Sequence, residues 1–260
     1  MKPILATLAA LALLCAQASA QSPWPLADMN RLIEATNFRV GSGCSGTLIS
    51  AARKLILTNY HCVTGEVKII EVDEVADDGA VRKVKRQVRM PTTVAQDTLD
   101  SVGHVVGRRE SSVEIIRIDL SSDLALLHVL GPLSSTIAAP ILPVGGTVTR
   151  GERVYSVGNP AGLEATVVEG IVSNTRRELS EFRSPLGKPW EGIQISGGIW
   201  GGNSGGAVYN ARGFLIGVPA ISHIRAPHLG FAVPIDRIHE FLAQACHADL
   251  FGGRQAAGCK

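Results

Sequence analysis

A serine set among glycines is the feature of this 260-residue sequence that points most directly to chemistry. Ser204 lies within residues 201–206, which read Gly-Gly-Asn-Ser-Gly-Gly. Glycine adopts backbone angles that other residues avoid, and it lets a substrate come close to the main chain. A tight turn of this kind exposes the serine hydroxyl and lets neighbouring amide N–H groups face an oxyanion. The segment therefore predicts a nucleophilic serine.

Two segments upstream supply the partners that such a serine needs. A serine hydroxyl is a weak nucleophile at neutral pH, and a histidine that takes its proton during attack activates it. A buried carboxylate then holds the imidazole in the correct tautomer and stabilises the imidazolium that forms. His61 follows an apolar run, and Asp123 precedes another, Leu-Ala-Leu-Leu. His61, Asp123 and Ser204 are thus the predicted catalytic residues, and only a fold can bring them together.

The elements that would position these residues are short runs rich in Val, Ile and Leu, separated by glycines. Several runs alternate apolar and polar residues, which is the pattern of antiparallel strands with one buried face. They include residues 46–49, 55–58, 113–118, 124–129, 154–157, 165–172 and 214–218.

Helical periodicity is confined to the two ends of this strand-rich part. An amphipathic run, Leu26 to Ile33, predicts a short helix, and residues 235–245 predict a terminal helix opened by Pro234. The segment 72–112 is polar and predicts an excursion between strands. Its basic run, residues 82–89, is interpreted as a solvated strand face with Val81, Val84 and Val88 on the buried side, and a binding patch for acidic partners is the alternative.

The first twenty residues are typical of a secretory signal peptide. Lys2 supplies the positive charge, residues 4–16 form an apolar core, and Ala-Ser-Ala at 18–20 matches a cleavage site. The core is short for a spanning helix, so we expect export to the periplasm or the outside with no stable membrane insertion afterwards. A formal net charge of +2 offers no electrostatic case for nucleic acid.

Export would place the chain in an oxidising compartment, where disulfides form. Removal of the signal peptide leaves four cysteines, which allow three pairings. No cysteine pair has metal-ligand spacing, and we predict neither a metal nor a cofactor. The four are Cys44, Cys62, Cys246 and Cys259.

An ordered series of motifs resembles the trypsin-like serine proteases of the two-barrel fold, and more narrowly the HtrA/Deg group. The resemblance covers about residues 38–235. His61 falls in Thr-Asn-x-His and Asp123 in Asp-Leu-Ala-Leu. The motifs Gly-Asn-Pro-x-Gly, Gly-Ile-Val-Ser, Ile-Gln, Gly-Asn-Ser-Gly-Gly and Gly-Phe-Ala-Val-Pro follow at 158–162, 170–173, 193–194, 202–206 and 230–234.

The resemblance implies an all-β fold of two antiparallel six-stranded β-barrels, with the active site in the cleft between them and a C-terminal helix. It also implies an oxyanion hole formed by the N–H groups of Gly202 and Ser204, and a serine endopeptidase that cleaves proteins or peptides through an acyl-enzyme. The expected units are a signal peptide at 1–20, an N-terminal segment at 21–37, barrels at 38–135 and 136–235, and a helix and tail at 236–260.

The same resemblance implies one disulfide, and the sequence leaves open whether a second one forms. In many trypsin-like proteases a disulfide links the strand before the histidine to the residue just after it, which implies a bond between Cys44 and Cys62. The remaining pair, Cys246 and Cys259, would close a short loop that ties down the tail.

We infer the substrate preference from the residues expected to line the primary pocket, which are Ile199, Val218, Pro219 and Ala220. These residues are apolar and no acidic residue stands near Gly198, so a small or medium apolar side chain is expected at the cleavage point. His223 and His228 leave open a preference for an acidic side chain.

The chain departs from the family pattern in two ways. Asn203 stands where pancreatic-type enzymes have an aspartate, so activation through a new N-terminal ammonium is not expected. Only about fifteen residues follow the predicted helix, too few for a PDZ module that captures peptide C-termini.

Two other interpretations fit parts of the pattern. Gly-x-Ser-x-Gly is also the nucleophile elbow of α/β-hydrolases, but there the histidine comes last and long helices alternate with strands. A catalytically silent protease fold that acts as a peptide-binding or chaperone module stays open, because triad function depends on geometry.

Overall fold

Two closed antiparallel β-barrels follow one another along the chain in this computed structural model. The structure describes residues 25–65, 67–75, 81–89, 92–102, 104–183, 189–223, 226–256 and 258–259. The predicted signal peptide at 1–20 lies outside these residues. Among the described helices, none has both the length and the apolar character needed to cross a membrane. The barrels and the C-terminal helix confirm the predicted fold class.

The first barrel contains both predicted acid–base residues in its loops. Its strands close in the order β1-β2-β3-β8-β7-β6, and every neighbouring pair is antiparallel. Phe38, Leu48, Ile56 and Leu127 fill its interior. The strands are β1 (Asn37–Val40), β2 (Cys44–Ser50), β3 (Leu55–Asn59), β6 (Thr93–Leu99), β7 (Val105–Asp119) and β8 (Leu124–Val129).

The second barrel carries the predicted nucleophile. Its strands close in the order β10-β11-β14-β13-β12-β9, again antiparallel throughout. Val154, Ile193, Val208 and Ile216 fill its interior. The strands are β9 (Arg153–Gly158), β10 (Thr166–Arg183), β11 (Pro189–Ser196), β12 (Ala207–Asn210), β13 (Leu215–Ser222) and β14 (Leu229–Pro234).

The polar segment 72–112 pairs more than its composition indicated. Strands β4 (Val67–Val75) and β5 (Val81–Arg89) form a two-stranded sheet, whose register sets acidic positions of β4 opposite basic positions of β5. The rest of the segment supplies β6 and the first half of β7 to the barrel. The predicted excursion was therefore wrong for residues 93–112, which pair within the barrel, because barrel strands bury only one face and can be largely polar. Val81 is 65% exposed, so it does not belong to the buried side that was expected, and the side chains of Val84 and Val88 lie outside the described part of the chain.

A shared core joins the two barrels to both helices. Helix α1 (Leu26–Thr36) extends three residues beyond the predicted run and buries Leu32 in this core. Helix α2 (Ile235–Gln244) packs Phe241 into the same cluster, together with Leu126 of the first barrel. The cleft between the barrels is thus held by one continuous apolar cluster.

Two buried hydroxyl groups fix α1 against the second barrel. The Thr36 hydroxyl donates to the Leu32 carbonyl (2.7 Å), so the Tyr209 hydroxyl donates to Thr36 across 2.8 Å. Burial raises the pKa of the fully buried Tyr209, and its bond to Thr36 opposes this only in part. Among the described residues, Thr36 is thus the partner of the Tyr209 hydroxyl, while the Thr36 hydroxyl also has the Leu32 carbonyl.

Thr36→Val should lower the free energy of unfolding by about 1–3 kcal/mol, because it leaves the Tyr209 hydroxyl buried without a partner. Urea denaturation measures this, with Tyr209→Phe as the second single variant. The double variant should lose less free energy of unfolding than the sum of the two single variants, since no buried hydroxyl of this pair is then left without a partner. Additive costs would show that the two hydroxyls do not interact.

Candidate active site

The ends of two adjacent strands bring His61 next to Asp123. Asn59 at the end of β3 pairs with Leu124 at the start of β8, so the residues just beyond each strand lie side by side. The chain then turns through a short 3-10 helix, Tyr60–Cys62. The Asp123 carbonyl accepts hydrogen bonds from the Tyr60 amide (3.0 Å) and the Asn59 side chain (2.9 Å). These bonds fix the two loops to each other.

The Asp123 carboxylate binds His61 with both oxygens. One accepts the His61 backbone N–H (3.0 Å) and the other accepts from Nδ1 (2.7 Å). A carboxylate only accepts hydrogen bonds, so Nδ1 carries a proton, and in the neutral imidazole Nε2 is then the acceptor. The Asp123 side chain is 12% exposed and that of His61 45%. The carboxylate thus lies beneath an imidazole that opens to the cleft.

The turn before Asp123 has its own anchor. Asp119 at the end of β7 accepts hydrogen bonds from the hydroxyls of Ser121 (2.6 Å) and Ser122 (2.5 Å). Burial works against ionisation of Asp119, but these bonds outweigh it and lower the pKa of its carboxyl. Asp123 itself has a φ of +56°, in the left-handed region that aspartate tolerates better than most residues. The Asp-x-Ser-Ser-Asp turn thereby aims Asp123 at His61.

Both expected disulfides are present. The bond between Cys44 and Cys62 confirms the pairing that the family resemblance implied, and it ties β2 to the residue that follows His61. Cys246 and Cys259 are also joined, closing the loop after α2. The sulfurs of Cys44 and Cys62 lie within 4.8 Å of a ring nitrogen of His61, but oxidised sulfurs offer no thiolate to a metal.

The turn that contains Ser204 packs closely against the first barrel. The amide of Gly205 donates to the Pro219 carbonyl (3.0 Å), and the amide of Gly206 donates to the Asn203 carbonyl (3.0 Å). Gly205 has a φ of +83°, and a Cβ there would lie 2.1 Å from the Thr58 hydroxyl oxygen. Only glycine fits this contact, so the turn sits directly on β3.

This packing places Ser204 beside the histidine turn. The Ser204 carbonyl oxygen lies 3.6 Å from Sγ of Cys62, the residue after His61. Among the hydrogen bonds of the described residues, none joins the Ser204 hydroxyl to His61. Catalytic hydrogen bonds are often long in unliganded enzymes and tighten in the substrate complex. The structure thus has the His61–Asp123 pair formed and Ser204 next to it.

The orientation of the Gly201–Gly202 peptide makes the Gly202 N–H available to bind an oxyanion. The Gly201 carbonyl accepts a hydrogen bond from the Ala161 amide (2.9 Å). In a trans peptide the C=O and N–H groups point to opposite sides, so the Gly202 N–H points away from Ala161. Within the part of the chain that the structure describes, neither this N–H nor that of Ser204 donates a hydrogen bond. Both are available to stabilise a developing negative charge.

The predicted pocket residues divide into two groups. Ile199 is 2% exposed and lies against Gly230, where a Cβ would be only 2.4 Å from its Cγ1. Ala220 is partly exposed and Pro219 is buried at the Ser204 turn. Val218 is fully buried in the shared core, and its place in the primary pocket stays a prediction.

Trp200 is a further residue of this region that sequence reasoning did not single out. Its side chain is 58% exposed, and its carbonyl accepts the Asn203 amide (3.0 Å) within the nucleophile turn. Asn203 is 1% exposed beside Gly158. The available signal for Trp200 was a large aromatic residue in a glycine-rich run, residues 197–202.

Comparison with known proteins agrees with this geometry. Residues 44–218 match the family described as the trypsin-like peptidase domain. The chain belongs to the trypsin-like peptidase family. This peptidase is also 32% identical over 204 residues to the mitochondrial serine protease HTRA2 of Bos taurus, covering 78% of this chain and 35% of that protein. It is 30% identical over 187 residues to the chloroplastic Protease Do-like 1 of Arabidopsis thaliana, covering 70% and 35%.

Solved structures share the fold of this peptidase. The active form of the Rv3671c protease from M. tuberculosis superposes with a TM-score of 0.59 at 18% identity, covering 92% of each chain. The HtrA-type protease AlgW, solved with a decapeptide, superposes with a TM-score of 0.55 at 24% identity, covering 79% of this chain and 52% of that one. The chain spans about a third of the length of the two curated relatives.

Gly202→Ala should lower kcat of this peptidase by at least about 100-fold, comparable to the loss of one oxyanion donor. Gly202 has a φ of +107°, and a Cβ there would lie 2.4 Å from the Asn159 carbonyl oxygen, so the peptide must move. Steady-state kinetics on a chromogenic peptide measures the effect. Gly145→Ala is the matched control, since it replaces another positive-φ glycine (+86°) with open space around it. Equal losses in both variants would contradict the oxyanion assignment.

Proposed function

We propose that this peptidase cleaves internal peptide bonds with Ser204 as nucleophile, His61 as general base and Asp123 as the group that orients the imidazole. The observation that carries the proposal is the 2.7 Å hydrogen bond between His61 Nδ1 and the Asp123 carboxylate, next to the glycine-flanked Ser204 turn. This bond leaves Nε2 as the proton acceptor. Proteins and peptides are the proposed substrates, as for HtrA-type proteases.

The proposed reaction has two halves. The Ser204 hydroxyl attacks the substrate carbonyl carbon while its proton moves to His61 Nε2, and the amides of Gly202 and Ser204 bind the resulting oxyanion. His61 then gives that proton to the departing amine, which leaves an acyl-enzyme. Water, activated by the same imidazole, hydrolyses the ester and restores Ser204.

The proposed preference is for a small or medium apolar side chain at the cleavage point. The packing of Ile199 over Gly230 supports a primary pocket of limited depth. Ala220 supplies an apolar edge on the neighbouring strand. A larger side chain would have to displace Ile199, whose neighbours in the barrel interior leave it little room to move.

The proposed location is an exported compartment, the periplasm or the outside of the cell. The signal-like residues 1–20 support it, as does the formation of two disulfides among the four remaining cysteines. Disulfides persist in oxidising compartments and are rare in reducing ones.

Ser204→Ala should abolish both casein cleavage and labelling by a fluorophosphonate probe, because the probe reacts only with an activated serine. The Thr36→Val variant serves as a folded control, since its hydroxyl lies on α1 and should leave labelling intact. Unlabelled wild-type protein with normal thermal unfolding would instead support a silent peptide-binding module. Labelling with cleavage of simple esters but not casein would support an esterase.

Ile199→Ala should broaden the preference toward larger apolar residues. Removal of methyl and methylene groups from a pocket changes discrimination by about 10- to 200-fold per group. The ratio of kcat/KM for a Phe substrate over an Ala substrate should therefore rise at least 10-fold. Ile216→Ala removes the same atoms from the same core cluster and should leave the ratio unchanged. An unchanged ratio in both variants would exclude Ile199 from the pocket.

A further inference from the structure

Ser45 lies at the junction of the two barrels, and neither the motifs nor the proposed mechanism assign it a role. It follows Cys44 on β2, which the disulfide ties to the residue after His61. Its side chain is completely buried. A buried hydroxyl needs partners, so the identity of those partners indicates what the residue does.

All hydrogen-bonding capacity of the Ser45 hydroxyl goes to the second barrel. It donates to the Gly202 carbonyl (2.7 Å). It accepts from the backbone N–H of Asn159 (2.8 Å) and from the side-chain amide of the same residue (2.9 Å). A hydroxyl has one donor and two acceptor positions, so all three are filled. One side chain of the first barrel thus joins two loops of the second.

The backbone of Ser45 makes a third link to the same region. Its N–H donates to the Ser204 carbonyl (2.8 Å), and its own carbonyl accepts the Thr58 hydroxyl (2.7 Å). Thr58 lies on β3, near the strand end that leads to His61. Ser45 is therefore bonded to the nucleophile turn on one side and to the histidine strand on the other.

These contacts converge on the two peptide groups that flank Gly202. The carbonyl of the preceding peptide is held by Ala161, which stands two residues after Asn159. The carbonyl of the following peptide is held by the Ser45 hydroxyl. Because Ser45 also holds Asn159, it fixes the loop that supplies the Ala161 donor. Reorienting the Gly202 N–H would break the bond from Ala161, whose loop Ser45 holds through Asn159.

We propose that Ser45 is a positioning residue of the oxyanion hole, one that keeps the Gly202 N–H aimed at the cleft through the Gly202 carbonyl and Asn159. The proposal rests on the proposed function, since it presumes that Gly202 and Ser204 bind an oxyanion. Ser45 itself lies below the turn and contacts no substrate. Its role is needed because the run of glycines would otherwise be free to adopt other backbone angles.

The first experiment compares Ser45→Ala with the wild type on one chromogenic peptide. Misplacement of a catalytic group by about 1 Å costs about 100-fold, and partial misalignment less, so kcat should fall about 10- to 100-fold. KM should change by less than about 2-fold, because ground-state contacts are untouched. A peptide boronate, whose tetrahedral adduct places an oxygen in the hole, should bind more weakly by the same factor as kcat/KM.

Ser45→Gly separates positioning from simple loss of packing. It removes Cβ as well, which leaves room for a water beside three polar partners, the number a buried water usually satisfies. We expect kcat to decrease in the order wild type, Ser45→Gly, Ser45→Ala. A purely structural role predicts the reverse order for the two variants, because glycine removes more atoms and weakens a strand.

Thr36→Val is the matched control for loss of a buried hydroxyl away from the site. It should lower thermal stability yet leave kcat and boronate affinity within about 2-fold of the wild type. All assays are run where each variant is folded by circular dichroism. If Ser45→Ala does not fold, the proposal is tested with Ser45→Gly. The expected result is then a severalfold loss of kcat at unchanged KM.

The outcomes distinguish this proposal from the proposed function. If Ser204→Ala retains activity, the proposed function fails whatever Ser45 does. If Ser204→Ala is inactive but the folded Ser45 variants match the wild type in kcat and boronate affinity, Ser45 is not a positioning residue. If activity falls only in proportion to the folded fraction, the positioning role is likewise overturned.

Discussion

The site depends above all on close backbone contact between the Ser204 turn and the β2–β3 surface of the first barrel. The Ser45 amide binds the Ser204 carbonyl at 2.8 Å, and Gly205 approaches Thr58 so closely that a Cβ would lie 2.1 Å from its hydroxyl oxygen. A catalytic group that is misplaced by about 1 Å can cost about 100-fold in rate, so the triad residues must be held more closely than that. The shared apolar core supplies the force that holds the barrels together, and this contact sets their registration.

Glycine has two distinct uses in this molecule. At Gly202 and Gly205 it supplies left-handed backbone angles that aim amide groups. At Gly206, where a Cβ would lie 2.1 Å from the Val157 carbonyl oxygen, it allows the turn to pack on β9 without a side chain between them. The freedom that makes such a turn possible also makes it easy to deform, so its peptides need external partners. Ala161 and Ser45 are those partners, one for each carbonyl beside Gly202.

The two halves of the site are built by different means. The His61–Asp123 pair arises within one barrel, from the ends of hydrogen-bonded neighbouring strands, and a disulfide restrains the residue that follows His61. The Ser204 turn and its oxyanion amides are assembled by contacts across the interface. The relative position of the barrels therefore affects the nucleophile and the oxyanion site directly, while the acid–base pair is protected from it.

Local sequence pattern determined much of this protein. Alternation of apolar residues indicated most strands, and the order of the histidine, aspartate and serine motifs pointed to the family, the two-barrel fold and the Cys44–Cys62 bond. It failed at residues 93–112, where one-sided barrel strands carry too many polar residues to be recognised. Only the tertiary structure decided which distant groups satisfy each buried polar atom. The partners of Ser45 lie 114 and 157 positions away, and no periodicity along a chain encodes a hydrogen bond of that range.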